Sequence, residues 1–431
     1  MLGACESIPD FIGTKDKTEK LKGIRNPVFV KKTELLIDPN LAQLKVVLPE
    51  QVENIEWPNS SGSENNLPPH LKLKTNLQKS FELNIINISN EKYFITSTPI
   101  IASNKIFVLN AKGDVLAYSL IYKNKSPLWI KNINSPEMRK AFGGGGITFY
   151  RDVLYVTSGN KEVVALNAET GKEIWRIELN NGVRSAPQVI KDKLFVKTID
   201  NKLYALSTKE GKILWTHDGA SESIGIFGTA SIFASDEEII VPHSSGQLHK
   251  ISTINGEQIW SIDLNFAKLN LPETLLTDID VTPFIHNNKL YIAGNIGAVF
   301  VIDLNSGELL AKANIENARS IWVAEDYIYA IDGNNKLYAL YEKTMTAKWI
   351  TKLPKFLNEA KEKHRILLTG PLLAGNHLVV VSDKGKIYFI DPNNGDIQYE
   401  YDAPKDISLM PVVANNKLVL LNNFGKLVMW E

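Results

Sequence analysis

The sequence of 431 residues contains a single cysteine, Cys5, so no disulfide can form within the chain. It also lacks an excess of charge of either sign, because 48 lysine and arginine residues balance 48 aspartate and glutamate residues. Nucleic-acid-binding proteins usually carry a basic surplus, so the balance gives no reason to expect a nucleic-acid partner. No run of about 20 apolar residues is present, and the sequence therefore predicts no membrane-spanning helix.

The sequence does contain a repeated motif, in which an apolar segment is followed by a turn and by a second apolar segment. The clear copies end in tryptophan and lie at Ala165–Trp175, Ala205–Trp215 and Lys250–Trp260. Weaker copies lie at Val301–Ala311, Ala339–Trp349 and Phe389–Tyr399. Self-similarity with a period of roughly 40–50 residues indicates one supersecondary unit that is repeated along the chain.

The unit Arg184–Gly219 shows what is repeated. Four short apolar segments are separated by tight turns, among them Asp200-Asn201 and Lys209-Glu210-Gly211. Four antiparallel strands per unit make one blade of a β-propeller. The same layout fits six further units, at Ser97–Ile133, Gly144–Leu179, Gly228–Leu264, Asp280–Ile315, Arg319–Leu353 and Leu368–Asp402.

The last unit, Met410–Trp430, has room for only three strands. We predict that a strand near Leu77–Leu83 supplies the fourth, because pairing the two ends of the chain closes the ring and removes exposed strand edges. The predicted fold is therefore all-β, an eight-bladed β-propeller over residues 77–431 with four-stranded antiparallel blades, closed by an N-terminal strand in the last blade. Residues 6–76 carry clustered charge near their start and few periodic apolar residues, which predicts a tether, although Trp57 within it is expected to dock on the folded body.

Tryptophan recurs at corresponding places in the predicted blades. We predict that these side chains are structural and pack between neighbouring blades, and that removing one costs about 3–5 kcal/mol. They are Trp129, Trp175, Trp215, Trp260 and Trp349.

The motif Ala-x-(Asn/Ser)-x-x-x-Gly-Lys-x-x-Trp, as in Ala165–Trp175, resembles the tryptophan-docking motif of the pyrroloquinoline-quinone-type propellers. The similarity covers roughly Trp57–Glu431. One branch of these propellers contains quinoprotein dehydrogenases, which bind the quinone and calcium; the other contains BamB-like lipoproteins, which are scaffolds of the outer-membrane β-barrel assembly machinery. The chain resembles the second branch more, because one cysteine cannot form the vicinal disulfide of the dehydrogenases and because Gly143–Gly146 looks like the Gly-Gly entry to the second blade of BamB-like proteins.

This resemblance implies a non-enzymatic scaffold without a cofactor, which binds the POTRA domains of BamA, the barrel-inserting subunit. Other subunits of the machinery and nascent outer-membrane proteins are further expected partners. The alternative is a periplasmic dehydrogenase that depends on pyrroloquinoline quinone and calcium, with Asp278 or Asp280 as base or calcium ligand.

The first residues, Leu2-Gly3-Ala4-Cys5, resemble a bacterial lipobox, in which the cysteine becomes the lipidated first residue of a lipoprotein. Residues 1–5 are accordingly predicted to be the remnant of a signal peptide whose charged and apolar regions would lie upstream of Met1. The alternative is a free thiol. Glu6 after the cysteine resembles lipoproteins that are sent to the outer membrane, so the expected location is the periplasmic side of that membrane, with Cys5 as the lipid anchor.

Two connections between predicted blades are candidate partner sites. The first carries Ile224, Ile226 and Phe227 among glycines and serines, and exposed apolar groups of this kind mark interfaces. The second carries Asp278 and Asp280, whose side chains point the same way in an extended segment and would suit a basic, partly apolar partner surface.

The resemblance bears on the same two connections. BamB-like proteins carry an Asp-x-Asp-x-Thr-Pro segment, which Asp278–Pro283 matches, and a Leu-x-Leu-Arg-Gly loop, in which Phe227 replaces the arginine. In the alternative interpretation, Ile224 and Ile226 are buried strand residues and the aspartates only cap a turn.

Two histidines, His243 and His249, could approach each other across a tight turn. Two histidines without a third ligand are a weak indication of a metal site, so we predict that both are ordinary strand or surface residues.

The segment Pro354–Arg365 is predicted to be a short charged helix or loop, which is either solvated or borders the partner site.

Overall fold

Antiparallel strands account for nearly all regular structure in the computed structural model. It describes residues 35–60, 62, 70–85, 95, 97–122, 125–135, 144–183, 185–219, 232–243, 245–265, 279 and 281–431. Within these residues the strands form eight four-stranded antiparallel sheets, which confirms the prediction of an eight-bladed propeller. The same residues contain two complete 3-10 helices, Pro39–Leu41 and Glu359–Lys361, and no helix that is long and apolar enough to span a membrane.

Seven blades follow one another along the chain, each with its four strands in sequence order. Blades 1 and 2 comprise β2 Ile100–Ala102, β3 Lys105–Leu109, β4 Asp114–Ser119, β5 Trp129–Asn132, β6 Gly145–Tyr150, β7 Val153–Ser158, β8 Glu162–Asn167 and β9 Glu173–Glu178. Blades 3 and 4 comprise β10 Gln188–Ile190, β11 Lys193–Lys197, β12 Lys202–Ser207, β13 Ile213–Asp218, β14 Phe233–Ala234, β15 Glu238–Pro242, β16 Gln247–Ser252 and β17 Gln258–Asp263. Blades 5 and 6 comprise β18 Phe284–His286, β19 Lys289–Ile292, β20 Val299–Asp303, β21 Leu309–Ala313, β22 Ser320–Ala324, β23 Tyr327–Ile331, β24 Lys336–Tyr341 and β25 Thr346–Lys352. After a two-stranded hairpin, β26 Phe356–Asn358 and β27 Lys363–Arg365, blade 7 comprises β28 Leu368–Ala374, β29 His377–Ser382, β30 Lys386–Ile390 and β31 Ile397–Asp402.

Blade 8 is built from both ends of the chain. Its inner strands are β32 Val412–Ala414, β33 Lys417–Leu421 and β34 Lys426–Trp430, and its outer strand is β1 Lys79–Asn84. β1 pairs antiparallel with β34, with Leu83 opposite Leu427. The predicted closure of the ring by a strand near Leu77–Leu83 is therefore confirmed.

The order of strands defines two faces of the ring. First strands of successive blades contact one another, for example β2 with β6 and β22 with β28, so they are the innermost strands. Because the strands alternate in direction, the connections between blades and the turns between second and third strands emerge on one face, here named the connection face. The turns between first and second and between third and fourth strands lie on the opposite face, here named the turn face.

Each tryptophan of the repeat lies on the outer strand of its blade and contacts the next blade. The indole Nε1–H of Trp175 donates a hydrogen bond to the carbonyl of Thr208 in blade 3 (2.8 Å). The ring lies over Gly211, whose φ is +71° and where a Cβ would be only 2.7 Å from Trp175 Cε3. The same pair of contacts recurs for Trp129 with Ala168 and Gly171, Trp215 with Thr253 and Gly256, Trp260 with Leu304 and Gly307, and Trp349 with Pro392 and Gly395.

The junction of blades 5 and 6 departs from this rule on both sides. Blade 5 has Ala311 where blades 1 to 4 and 6 have tryptophan, and blade 6 has Met345 where the next blade has glycine. Met345 is 7% exposed and belongs to an apolar cluster against which Ala311 packs. A small residue in one blade is thus matched by a large residue in the next, and the volume between the blades stays filled.

Part of the predicted tether 6–76 packs along the turn face and contacts the propeller. Residues 35–60, here named the strap, cross blades 6, 7, 8, 1 and 2 in that order. The strap makes backbone contacts to blade 6 (Ile37 bridging Ala347), to blade 8 (the N–H of Asn415 to the carbonyl of Asn54, 2.8 Å), to blade 1 (Trp57 bridging Ile101) and to blade 2 (the N–H of Phe149 to the carbonyl of Pro58, 2.7 Å). Trp57 is only 1% exposed, as its expected docking requires.

The contact between Trp175 and Gly211 gives a stability prediction. Gly211→Ala should lower the free energy of unfolding by about 2–5 kcal/mol, because it combines a left-handed backbone with overlap of the indole. In a Trp175→Ala background the overlap is absent, so the same substitution should cost only about 1–2 kcal/mol. Urea denaturation of the four proteins in this cycle measures both values, and strictly additive effects would contradict the proposed contact.

Candidate functional site

The connection face carries the two segments in which sequence analysis places the partner site. The predicted partner residues Ile224, Ile226, Phe227, Asp278 and Asp280 lie outside the described residues, as does the predicted lipidation site Cys5. The structure describes the ends of both connections.

Both connections leave the propeller beside a turn between second and third strands. The N–H of Gly219, at the end of blade 3, donates to the carbonyl of Asn201 (3.1 Å), and the N–H of Leu264, at the end of blade 4, donates to the carbonyl of Gly246 (3.0 Å). After the first connection, Ile232 is buried in the core shared with blade 3. In the second, Ile279 is only 1% exposed and is packed in the core of blades 4 and 5.

Three histidines lie together beside Gly219, where the described part of blade 3 ends. His217 is on β13, His249 is on β16, and His243 follows β15. The Nε2 atom of His217 is 3.1 Å from Nδ1 of His249, and the ring centroids of His243 and His249 are 4.3 Å apart. The sequence predicts the approach of His243 and His249 but not the position of His217 beside them, because that position depends on how blades 3 and 4 pack.

The hydrogen bonds of the cluster assign its protons. Nδ1 of His217 is 3.2 Å from the carbonyl oxygen of Gly256, and since a carbonyl can only accept, this nitrogen carries a proton. In a neutral His217 the other nitrogen then accepts, so Nδ1–H of His249 donates to it. Within the part of the chain that the structure describes, no group of three histidine, cysteine or acidic side chains is arranged to hold a metal ion.

His243 is fully buried at the point where the first connection begins. Neither of its ring nitrogens has a hydrogen-bond partner among the described residues, and a Cβ on Gly219 would overlap its ring. Burial lowers the pKa of His243 to about 2, with the neighbouring His249 and Lys197 adding to the effect. Burial, followed by the proximity of His217, lowers the pKa of His249 to about 4.

A basic hairpin is the third described feature of the connection face. The segment that sequence analysis treats as a short charged helix or loop between blades 6 and 7 is a two-stranded ribbon, in which β26 pairs with β27 around a single 3-10 turn. The three residues of β27, Lys363, His364 and Arg365, are all exposed, and Leu357 on β26 is 62% exposed. The sequence of this segment has no apolar alternation that would indicate strands, because nearly every residue of the two strands is exposed.

The chain matches the model of one protein family, described as outer membrane protein assembly factor BamB, over residues 126–351, which is more than half of its length. The protein belongs to this family. The match confirms the resemblance seen in the tryptophan-docking motif, and at the level of the family it associates the protein with outer-membrane protein assembly.

Individual relatives agree with this membership. The chain is 27% identical over 408 residues to an uncharacterized protein of Rickettsia conorii, with 90% of this chain and 97% of the relative covered. It is 26% identical over 283 residues to the outer membrane protein assembly factor BamB of Yersinia pestis, with 65% of this chain and 70% of the relative covered.

Solved structures share the fold. BamB from Moraxella catarrhalis superposes with a TM-score of 0.69 at 18% identity, covering 82% of this chain and 99% of that protein. A quinohemoprotein alcohol dehydrogenase of Pseudomonas putida superposes with a TM-score of 0.68 at 11% identity, covering 94% of this chain and 82% of that protein. At such identities both likenesses concern the propeller architecture alone.

The buried histidines predict a specific dependence of stability on pH. In the unfolded chain each histidine gains a proton near pH 6.5, whereas His243 and His249 stay neutral in the folded protein until the pH is far lower. The unfolded state therefore binds more protons, and the free energy of unfolding should fall below pH 6.5 by about 1.4 kcal/mol per pH unit for each of the two. Urea denaturation at pH 7.5, 6 and 5 measures the slope. His243→Leu should reduce it, and an unchanged slope in this variant would contradict the assignment.

Proposed function

We propose that this protein is a non-enzymatic scaffold of the outer-membrane β-barrel assembly machinery, which binds the periplasmic POTRA domains of BamA and assists the insertion of outer-membrane proteins. The observation that carries the proposal is the family match across residues 126–351, which spans the blades on both sides of the two candidate connections. Other subunits of the machinery and nascent outer-membrane proteins are further partners under this proposal.

The proposed contact site is the connection face between blades 3 and 5. Its apolar part is Ile224, Ile226 and Phe227, and its acidic part is Asp278 and Asp280. The described ends of both connections are held by backbone hydrogen bonds to neighbouring turns and by buried residues such as Ile279. A site with fixed ends loses less conformational freedom on binding, which favours affinity. Phe227 supplies an aromatic anchor where the related loop carries an arginine, so the partner need not offer an acid at this point.

We further propose that Cys5 is lipidated and holds the protein on the periplasmic side of the outer membrane. The strap supports this arrangement, because the part of the N-terminal segment that is described runs along the turn face. The described strap thus lies on the face opposite to the described ends of the two candidate connections.

The proposal excludes the quinone-dependent dehydrogenase that the shared architecture would also allow. One cysteine among the 431 residues cannot form the vicinal disulfide that the resemblance associates with that branch. After incubation with pyrroloquinoline quinone and calcium, the protein should give no quinone absorbance after gel filtration and no dye reduction with alcohols. Turnover in this assay would refute the scaffold.

The proposed partner site gives the central prediction. Replacing both aspartates by lysine (D278K with D280K) should weaken association with purified POTRA domains by at least tenfold, because two attractive charges become repulsive. Isothermal titration calorimetry or biolayer interferometry measures the Kd. The matched control is Asp192→Lys with Asp236→Lys on the turn face, which has the same change in charge and should bind as the wild type does. Equal affinity of D278K/D280K and wild type would remove the acidic site.

A further inference from the structure

The hairpin β26–β27 is fixed to the propeller at its base. Both amide hydrogens of Asn335, a residue only 1% exposed in blade 6, donate to carbonyls at the two ends of the hairpin, those of Pro354 (2.8 Å) and Ile366 (3.0 Å). The N–H of Ile366 also donates to the carbonyl of Lys355 (2.8 Å). The hairpin is therefore held at a set position on the connection face.

Its tip is held as well. The side chain of Asn358 accepts from the N–H of Lys361 (3.0 Å), and one carboxylate oxygen of Glu359 accepts from the N–H groups of Lys355 (2.7 Å) and Phe356 (2.9 Å). The backbone meanwhile contains two non-glycine residues in the left-handed region, Glu362 at φ +48° and His364 at φ +59°. Conformations of this kind cost of order 1–3 kcal/mol each and cluster at functional sites.

The chemistry of the hairpin is basic. Four cationic side chains in residues 355–365 stand against two glutamates, and one of these, Glu359, is engaged by the backbone. Lys361 and Lys363 are exposed and form no ion pair within the described residues. An exposed, pre-organised element with unpaired cations suits an acidic surface. A lipid surface is a poorer fit, because Lys355 and Arg365 are engaged by Asn334 and by the carbonyl of Gly333. The two remaining lysines fall short of the clusters of 4–8 lysines or arginines that recognition of anionic membranes usually needs.

We propose that this hairpin is a second partner contact, which takes an acidic patch on the POTRA-bearing subunit. The inference rests on the proposed function. Under the proposed function, the acidic residues Asp278 and Asp280 and the basic hairpin are two contacts of opposite charge. A partner with the complementary pair of patches can bind in one orientation only, since the opposite orientation would place like charges together.

The test is a charge reversal at the two unpaired lysines, Lys361→Glu with Lys363→Glu, in the full chain. The Kd for purified POTRA domains should rise about five- to tenfold at 50 mM salt, and the difference should shrink at 0.5 M because exposed charges are screened. The matched control, Lys209→Glu with Lys212→Glu, has the same change in charge at exposed positions on the turn face and should bind as the wild type does.

The other outcomes separate the two proposals. Wild-type affinity in K361E/K363E, combined with weakened binding in D278K/D280K, overturns the hairpin contact and leaves the proposed function in place. A wild-type protein that does not bind POTRA domains overturns both. Co-sedimentation with phosphatidylglycerol vesicles that is lost in K361E/K363E, while POTRA binding is unchanged, assigns the hairpin to a membrane instead and also overturns the inference.

Discussion

The contact between an outer-strand tryptophan and a glycine of the next blade is the interaction on which the ring depends. The glycine is required for its left-handed backbone and also because a Cβ would enter the space of the indole, as at Gly211. The tryptophan contributes ring packing and one hydrogen bond to the neighbouring backbone. Each contact joins only adjacent blades, so the stability of the array is largely a sum of neighbour terms, as in other repeat proteins. In a closed ring every blade needs both of its neighbours.

The junction between blades 8 and 1 also lacks both the tryptophan and the glycine of this contact, and additional elements meet there. Phe81 faces Met429 at the place where Trp175 faces Ala165, and the turn after Ser119 in blade 1 has no docking glycine. A cavity of about 180 Å³ remains beside Phe81. The strap crosses this same junction through Asn54 and Trp57, so the N-terminal segment stabilises the point at which the ring is closed.

The sequence predicts the features that repeat and misses those that do not. The period of the repeated motif predicts the number of blades. The missing strand in the last unit predicts that β1 closes the ring. The sequence predicts a tether where the strap lies, because the strap makes its contacts mostly through its backbone, such as the bridge between Trp57 and Ile101. A backbone bridge leaves no periodicity in the side chains. His217 was missed for a related reason, since its neighbours come from another blade.

The distribution of stabilising contacts explains how such a protein can change partners without losing its fold. The docking glycines lie in turns between third and fourth strands, and the strap also runs along that turn face. On the connection face, by contrast, the described ends of the two candidate connections are held by backbone hydrogen bonds, such as Gly219 to Asn201, and by a few buried residues such as Ile279. Connections of this kind can vary in sequence at little cost to stability, and loops on a rigid scaffold are where binding residues concentrate. We therefore expect a difference such as Phe227 in place of arginine to change which partner surface the protein recognises, and to have little effect on the stability of the propeller.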